Sequence, residues 1–201
     1  SYVITWTSTG QDGSGDGVYA QRFSASGVAI GPEFRVNTTT AGAQTDTHVA
    51  ALSSGGFVVV WTDQGGTDGS SYGVYSQRYD AAGAAVGGET LVNTFTTNQQ
   101  AAGSVAAYTG GYVVTWTSQS NPGGSGFDIY TQRYLNDGTA QGGEVRVNTT
   151  TASTQNWPDV AARPDGVFVV VWEDWGGADG SGYGVYSRAY DGTGAPITAE
   201  G

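Results

Sequence analysis

The chain has 201 residues and a formal net charge of −11, with 18 acidic residues against seven arginines and no lysine. The absence of cysteine excludes disulfides, zinc–thiolate centres and a cysteine nucleophile, and the acidity lacks the basic footprint of nucleic-acid binding. No apolar run approaches the ~18 residues of a membrane span, and scarce Leu and Met beside plentiful Val, Thr, Tyr and Trp disfavour helix.

The pattern is a repeat. Trp stands at 6, 61, 116 and 172, and Tyr follows at 19, 75, 130 and 186. Val-Asn-Thr begins at 36, 92 and 147, and Val-Ala-Ala at 49, 105 and 160. A fixed period of about 55 residues marks a modular architecture. The first unit, 1–47, is partial, because Ser1 aligns with Gly56. It holds three predicted strands.

The second unit, 48–103, shows the full pattern. A short small-residue strand over 49–52 meets a Gly55-Gly56 turn. The apolar run 57–62 reads as a strand buried on both faces. A loop over 63–73 is dense in Gly, Asp and Ser. The segment 74–80 alternates, with Tyr75, Gln77 and Tyr79 on one face and Val74, Ser76 and Arg78 on the other. A turn over 81–88 leads to a fourth strand at 89–94, and a polar stretch, 95–104, leads onward. The third unit, 104–158, repeats this. The fourth, 159–201, is partial and stops before its Val-Asn-Thr.

Four antiparallel strands per tandem unit predict an all-β chain, a β-propeller of four-stranded blades of which about 3.65 are present. A sandwich or a β-solenoid array is the alternative. Small Val-Ala-Ala strands suit a crowded central channel, and doubly buried strands suit stacked blades. The chain reads as a fragment of a longer array. Further repeats of the parent chain, or another copy, would close the ring.

The loops between the Trp and Tyr strands hold the candidate sites. Asp12, Asp16, Asp63, Asp68, Asp174 and Asp179 could supply carboxylates to calcium, which takes six to eight oxygens in a flexible loop. The competing reading is an Asp-Gly turn whose carboxylate caps its own amides. Tyr72, Phe127 and Tyr183 recur in the same loops, with Trp175 in the fourth. Such aromatics beside Asp and Asn suit stacking on a sugar, or packing against the next blade. Trp157 has no aromatic counterpart, since Asp46 and Ala102 align with it. It is a packing anchor or a unique platform. The repeating Trp residues are expected in the core. Arg22, Arg78 and Arg133 stand eleven residues before Glu33, Glu89 and Glu144, which predicts cross-strand Arg–Glu pairs. The fourth copy has Ala189 at the Arg position.

The segment Gln-Asp-Gly-Ser-Gly-Asp-Gly-Val-Tyr-Ala-Gln-Arg-Phe over 11–23 echoes Asp-Gly-Ser-Ser-Tyr-Gly-Val-Tyr-Ser-Gln-Arg-Tyr over 68–79. These units resemble a tandem repeat of large secreted bacterial proteins, described as calcium-binding or repeats-in-toxin adhesin-like. The resemblance spans essentially the whole chain and implies secretion without a cleaved leader and a role in surface adhesion. One departure stands out. In Gly-Gly-Ala-Asp-Gly-Ser-Gly-Tyr-Gly over 176–184 the Asp is fourth, whereas the toxin nonapeptide has it sixth. The metal ligands of that β-roll therefore do not carry over.

Enzyme chemistry finds little support at this level. His48 is the only histidine and aligns with Ser104 and Asp159. No nucleophile elbow accompanies it, and near-identical repeats argue against one unique cleft. The expectation is a non-catalytic, extracellular or cell-surface adhesion module. It would contact a glycan or protein ligand through its loops, with calcium as a stabiliser and no insertion into a membrane. A structural spacer or self-assembling scaffold, and an accessory domain of a polysaccharide-degrading enzyme, are the alternatives.

Overall fold

The computed structural model describes residues 1–120, 126–177 and 180–201, and the backbone alone of residue 102. Among the described residues, fourteen strands form four antiparallel sheets. The first holds β1 (Tyr2–Thr9), β2 (Asp16–Phe23) and β3 (Ala29–Arg35). The second holds β4 (Gln44–Ala51), β5 (Phe57–Asp63), β6 (Gly73–Tyr79) and β7 (Ala85–Leu91). The third holds β8 (Gln100–Tyr108), β9 (Gly111–Gln119), β10 (Phe127–Leu135) and β11 (Ala140–Arg146). The fourth holds β12 (Gln155–Ala162), β13 (Phe168–Asp174) and β14 (Gly184–Tyr190). Each sheet is ordered as the chain runs. After β14, Ile197 and Gly201 hydrogen-bond back to Ala189 and Ser187, so the final residues run beside it.

The architecture is a β-propeller. Sheets stack face to face, and the first strands of successive blades pack together, β4 on β8 and β8 on β12, which makes them the strands nearest the axis. Their Val-Ala-Ala segments are small enough for that crowding. Each gap between blades is a separate apolar core. Val18, Ala20 and Val36 of the first blade meet Phe57, Val59 and Trp61 of the second. Val58, Val60 and Val74 meet Tyr112, Val114 and Trp116. Val113, Ile129 and Val147 meet Phe168, Val170 and Trp172. The doubly apolar second strand follows from this, because its alternate residues serve two different cores. Trp61, Trp116 and Trp172 are buried, each stacked on the cross-strand Tyr at 6.2–6.3 Å.

The polar motifs are structural joints. Asn37 of the Val-Asn-Thr accepts from the Val18 amide at 2.7 Å and donates to Gln44 Oε1 at 2.9 Å. Gln44 in turn donates to Asp63 Oδ2 at 3.2 Å. Asn93 and Asn148 repeat the arrangement with Gln100 and Gln155, and all of these side chains are buried. Buried amides need such partners. Each Gln of the Gln-Arg pair fills a bulge between third and fourth strands. Gln77 Nε2 donates to the carbonyls of Arg78, Val86 and Gly87.

The expected cross-strand Arg–Glu pairs take another form. Arg22 donates to the carbonyls of Ala81 and Ala82 in the next blade. Arg78 reaches Asn136 O at 3.2 Å, and Arg133 reaches Gly192 O at 2.6 Å and Thr193 O. The glutamates point back to the preceding blade. Glu89 accepts from the Thr38 amide, Glu144 from Thr94 at 2.9 Å and Glu200 from Thr149 at 2.5 Å. Arg and Glu thus form reciprocal clamps between blades rather than pairs within one.

Burial makes the tyrosines resist ionisation. It pushes the Tyr75 and Tyr112 hydroxyls up to about 12, and Tyr79 and Tyr134 higher still. Unfolded tyrosine ionises near pH 10. The stabilisation is complete below that pH and is lost as pH rises through the folded values. The urea midpoint is expected to fall between pH 8 and pH 11, and an unchanged midpoint would contradict the assignment.

Candidate functional site

One end of the propeller gathers the residues of interest. There the chain leaves each Val-Asn-Thr, enters the innermost strand, and later makes the long loop between second and third strands. Gln44 pairs with Asp63 at this end, and Asp63 with Gly73.

The loop carboxylates are engaged locally. Asp63 is buried, with Oδ1 accepting from the Gly65 amide at 2.9 Å and from Thr67 Oγ1 at 3.2 Å. Asp174 accepts from the Gly176 amide at 2.6 Å and from Gln155 at 2.9 Å. Asp12 and Asp68 cap the amides of Ser14 and Ser70 at 3.0 Å, each leaving Oδ2 buried without a partner among the described residues. Asp16 accepts from Thr9 Oγ1 at 2.5 Å. Asp179 lies outside the described residues. Among the described residues, no group of three or more His, Asp or Glu is gathered to hold a metal ion.

The loop aromatics do not converge on one place. Tyr72 is half-buried, and its backbone pairs with the connection into the third blade. Phe127 is half-buried likewise. Tyr183 and Trp175 meet edge to face at 5.6 Å on the fourth blade, and Trp175 Nε1 donates to Glu173 at 3.1 Å. Trp157 stands apart from them, on the innermost strand β12.

The innermost strands carry the feature that the sequence concealed. In β4, two residues, Asp46 and Thr47, oppose the single Trp61. In β8 the bulge lies between Ala101 and Ser104, and in β12 between Asn156 and Asp159, where Trp157 and Pro158 oppose Trp172. Bulges re-aim side chains and are frequent beside active sites. Asp46 and Trp157 both take the left-handed conformation, with φ of 52° and 51°. Such backbone is uncommon for a residue as large as Trp. Trp157 is 59% exposed, and Asp159 on the same strand and Asp46 and His48 on β4 are exposed too. Ser104 Oγ donates to Asp159 Oδ1 at 2.6 Å, tying the third and fourth inner strands together. Thr117 Oγ1 donates to Asn156 Oδ1 at 3.1 Å across the same gap.

The bulged ends of the inner strands thus carry two exposed carboxylates, an imidazole and an indole. Nothing in the repeat dictates these residues. The bulge holds Asp in one blade and Trp in another, and the position two residues on holds His48, Ser104 or Asp159. Disagreement between otherwise matching repeats was the one signal that could have found them.

A scan against protein-family models finds no match, and neither does a search of curated proteins. Solved structures do match in fold. The chain resembles an α-L-arabinofuranosidase from Fusarium graminearum in complex with an iminosugar inhibitor, with a TM-score of 0.61 at 15% identity, covering 99% of this chain and 62% of that one. It resembles a thermostable family-43 glycoside hydrolase at a TM-score of 0.56 and 12% identity, covering 98% and 71%. An exo-1,5-α-L-arabinanase from a bovine ruminal metagenomic library matches at a TM-score of 0.55 and 12% identity, covering 97% and 72%. Likeness at this identity establishes the propeller fold.

These findings correct two expectations, that the chain is a non-catalytic adhesion module and that it is not an enzyme. The propellers it matches are glycoside hydrolases. The physical error was to let matching repeats exclude a unique cleft. The repeats match in their cores and joints and differ at the bulged ends of the inner strands, so a repeated scaffold can still carry residues that occur only once.

Proposed function

We propose that this chain is part of a polysaccharide-degrading glycoside hydrolase, with the glycan bound across the channel mouth at the bulged ends of the inner strands. The observation that carries this reading is the exposed set Asp46, His48, Trp157 and Asp159 on those strands. An exposed indole stacks on the apolar face of a sugar ring. Glycoside hydrolysis needs two carboxyl groups, one as acid and one as base or nucleophile. Asp46 and Asp159 are the carboxylates on β4 and β12 available for those roles. Ser104, by donating to Asp159, fixes the orientation of one of them. The fold likeness to arabinanases and arabinofuranosidases supports arabinose-containing polymers as the first substrates to test. A polymeric substrate fits action outside the cell.

The test is release of reducing sugar from linear arabinan and arabinoxylan by the parent, Asp46→Asn and Asp159→Asn. Each substitution is expected to lower the rate by about 10²–10⁴-fold while leaving the urea midpoint unchanged. Full activity in both variants would overturn the reading.

A further inference from the structure

The two open faces of the stack differ in kind. The rear of the first blade keeps the residues that the repeat uses there. Tyr2, Ile4 and Trp6 stand where Phe57, Val59 and Trp61 are buried by a preceding blade. Glu33 is the counterpart of the clamp residue Glu89, and here it takes Gln11 Nε2 at 2.6 Å instead. This face suits a blade of the same repeat.

The front of the fourth blade departs from the repeat at the positions that dock a following blade. Val171 and Val185 keep the apolar centre, with Val185 77% exposed where Val74 and Ile129 are fully buried. Ala189 replaces the clamp arginines Arg78 and Arg133. Glu173 stands where Thr62 and Thr117 are buried against the next blade. Trp175 Nε1 donates to Glu173 at 3.1 Å, and burying the carboxylate with that neutral partner alone would leave its charge uncompensated. Exposure alone says only that nothing in this chain covers the face. The two replacements say what can cover it.

We propose that the front of the fourth blade is an interaction surface for a partner other than another copy of this repeat: a protein surface with an apolar centre and an arginine or lysine facing Glu173. The place of that cation follows from the existing joints. Thr117 Oγ1 bonds Asn156 across the blade boundary, so position 173 faces the inner-strand position held by Thr45, Ala101 and Asn156. None of those three is cationic. A cation there would compensate the charge that the Trp175 hydrogen bond leaves, and the partner would bring its own hold in place of the missing arginine clamp. The proposal does not depend on the glycan reading.

The test extends the chain after Gly201 with a second copy of residues 35–93, which supplies one more complete blade. Three forms are compared by amide hydrogen exchange over Gly184–Tyr190. The plain extension is expected to leave exchange there within about twofold of the unextended chain. An extension carrying Thr45→Arg in the added copy is expected to slow it at least about tenfold. The Glu173→Thr, Ala189→Arg double variant, with the plain extension, is expected to do the same. Equal protection by the plain extension, or protection by none of the three, would overturn the proposal.

Discussion

Replacing Trp116 with alanine is expected to destabilise the chain by about 3–5 kcal/mol. Trp116 has no exposed surface, stacks on Tyr130 at 6.3 Å, and packs against Val58, Val60 and Val74 of the preceding blade. It also stands opposite the bulge in β8. The substitution therefore opens a cavity that two rigid sheets and a bulged strand must line, and such a site collapses poorly. The same change at Trp6 should cost less than half as much in this chain, because Trp6 is only half-buried. Urea unfolding of both variants checks the pair. A loss below about 1 kcal/mol at Trp116 would contradict the packing described.

Asn148→Ala is the second change with a large expected effect, about 2–4 kcal/mol. One side chain here serves four partners. It accepts from the Ile129 amide at 2.7 Å and donates to Asp128 Oδ1, Thr150 O and Gln155 Oε1 at 2.6, 2.8 and 3.2 Å. Asp128 is fully buried, and its Oδ2 has no partner among the described residues. Burial raises the Asp128 carboxyl above its ordinary range, against the opposing bond from Asn148 and the charge of Arg146. Loss of Asn148 pushes it further up. A carboxyl raised in the folded state favours folding below its unfolded value and loses that contribution as pH rises through the folded one. The deficit of the variant is thus expected to be larger at pH 7 than at about pH 3. Urea midpoints of variant and parent at both values test this, and an equal deficit would contradict the role given to Asp128.

The fold was legible because its determinants recur. Trp61 and Tyr75 repeat at 116 and 130 and again at 172 and 186, since each blade needs the same stack. The innermost strands were seen only in part. The sequence pointed to 49–52, whereas β4 begins at Gln44. The residues Gln-Thr-Asp-Thr-His over 44–48 alternate nothing apolar, because a bulge interrupts the strand and its far side faces the channel. The clamps were misplaced for a related reason. Arg78 and Glu89 lie eleven residues apart in one unit, a spacing that fits a hairpin. In the folded chain Arg78 reaches 58 residues on, and Glu89 reaches 51 residues back. A period alone cannot tell contact within a unit from contact with the neighbouring one. Of the candidate ligand residues, Trp157 belongs to the exposed bulge of β12, while Asp63 and Asp174 belong to buried joints. Asp46 and Asp159 were visible only as places where the units disagree. Disagreement reads as tolerance until the strands bring those places around one axis.

The most direct measurement is a titration of the chain with arabino-oligosaccharides, followed by tryptophan fluorescence. The parent is expected to show a saturable change that Trp157→Ala abolishes and Tyr183→Ala preserves, since the glycan would rest on the inner strands and not on the fourth-blade loop. Undiminished binding by Trp157→Ala would contradict a glycan site at the channel mouth.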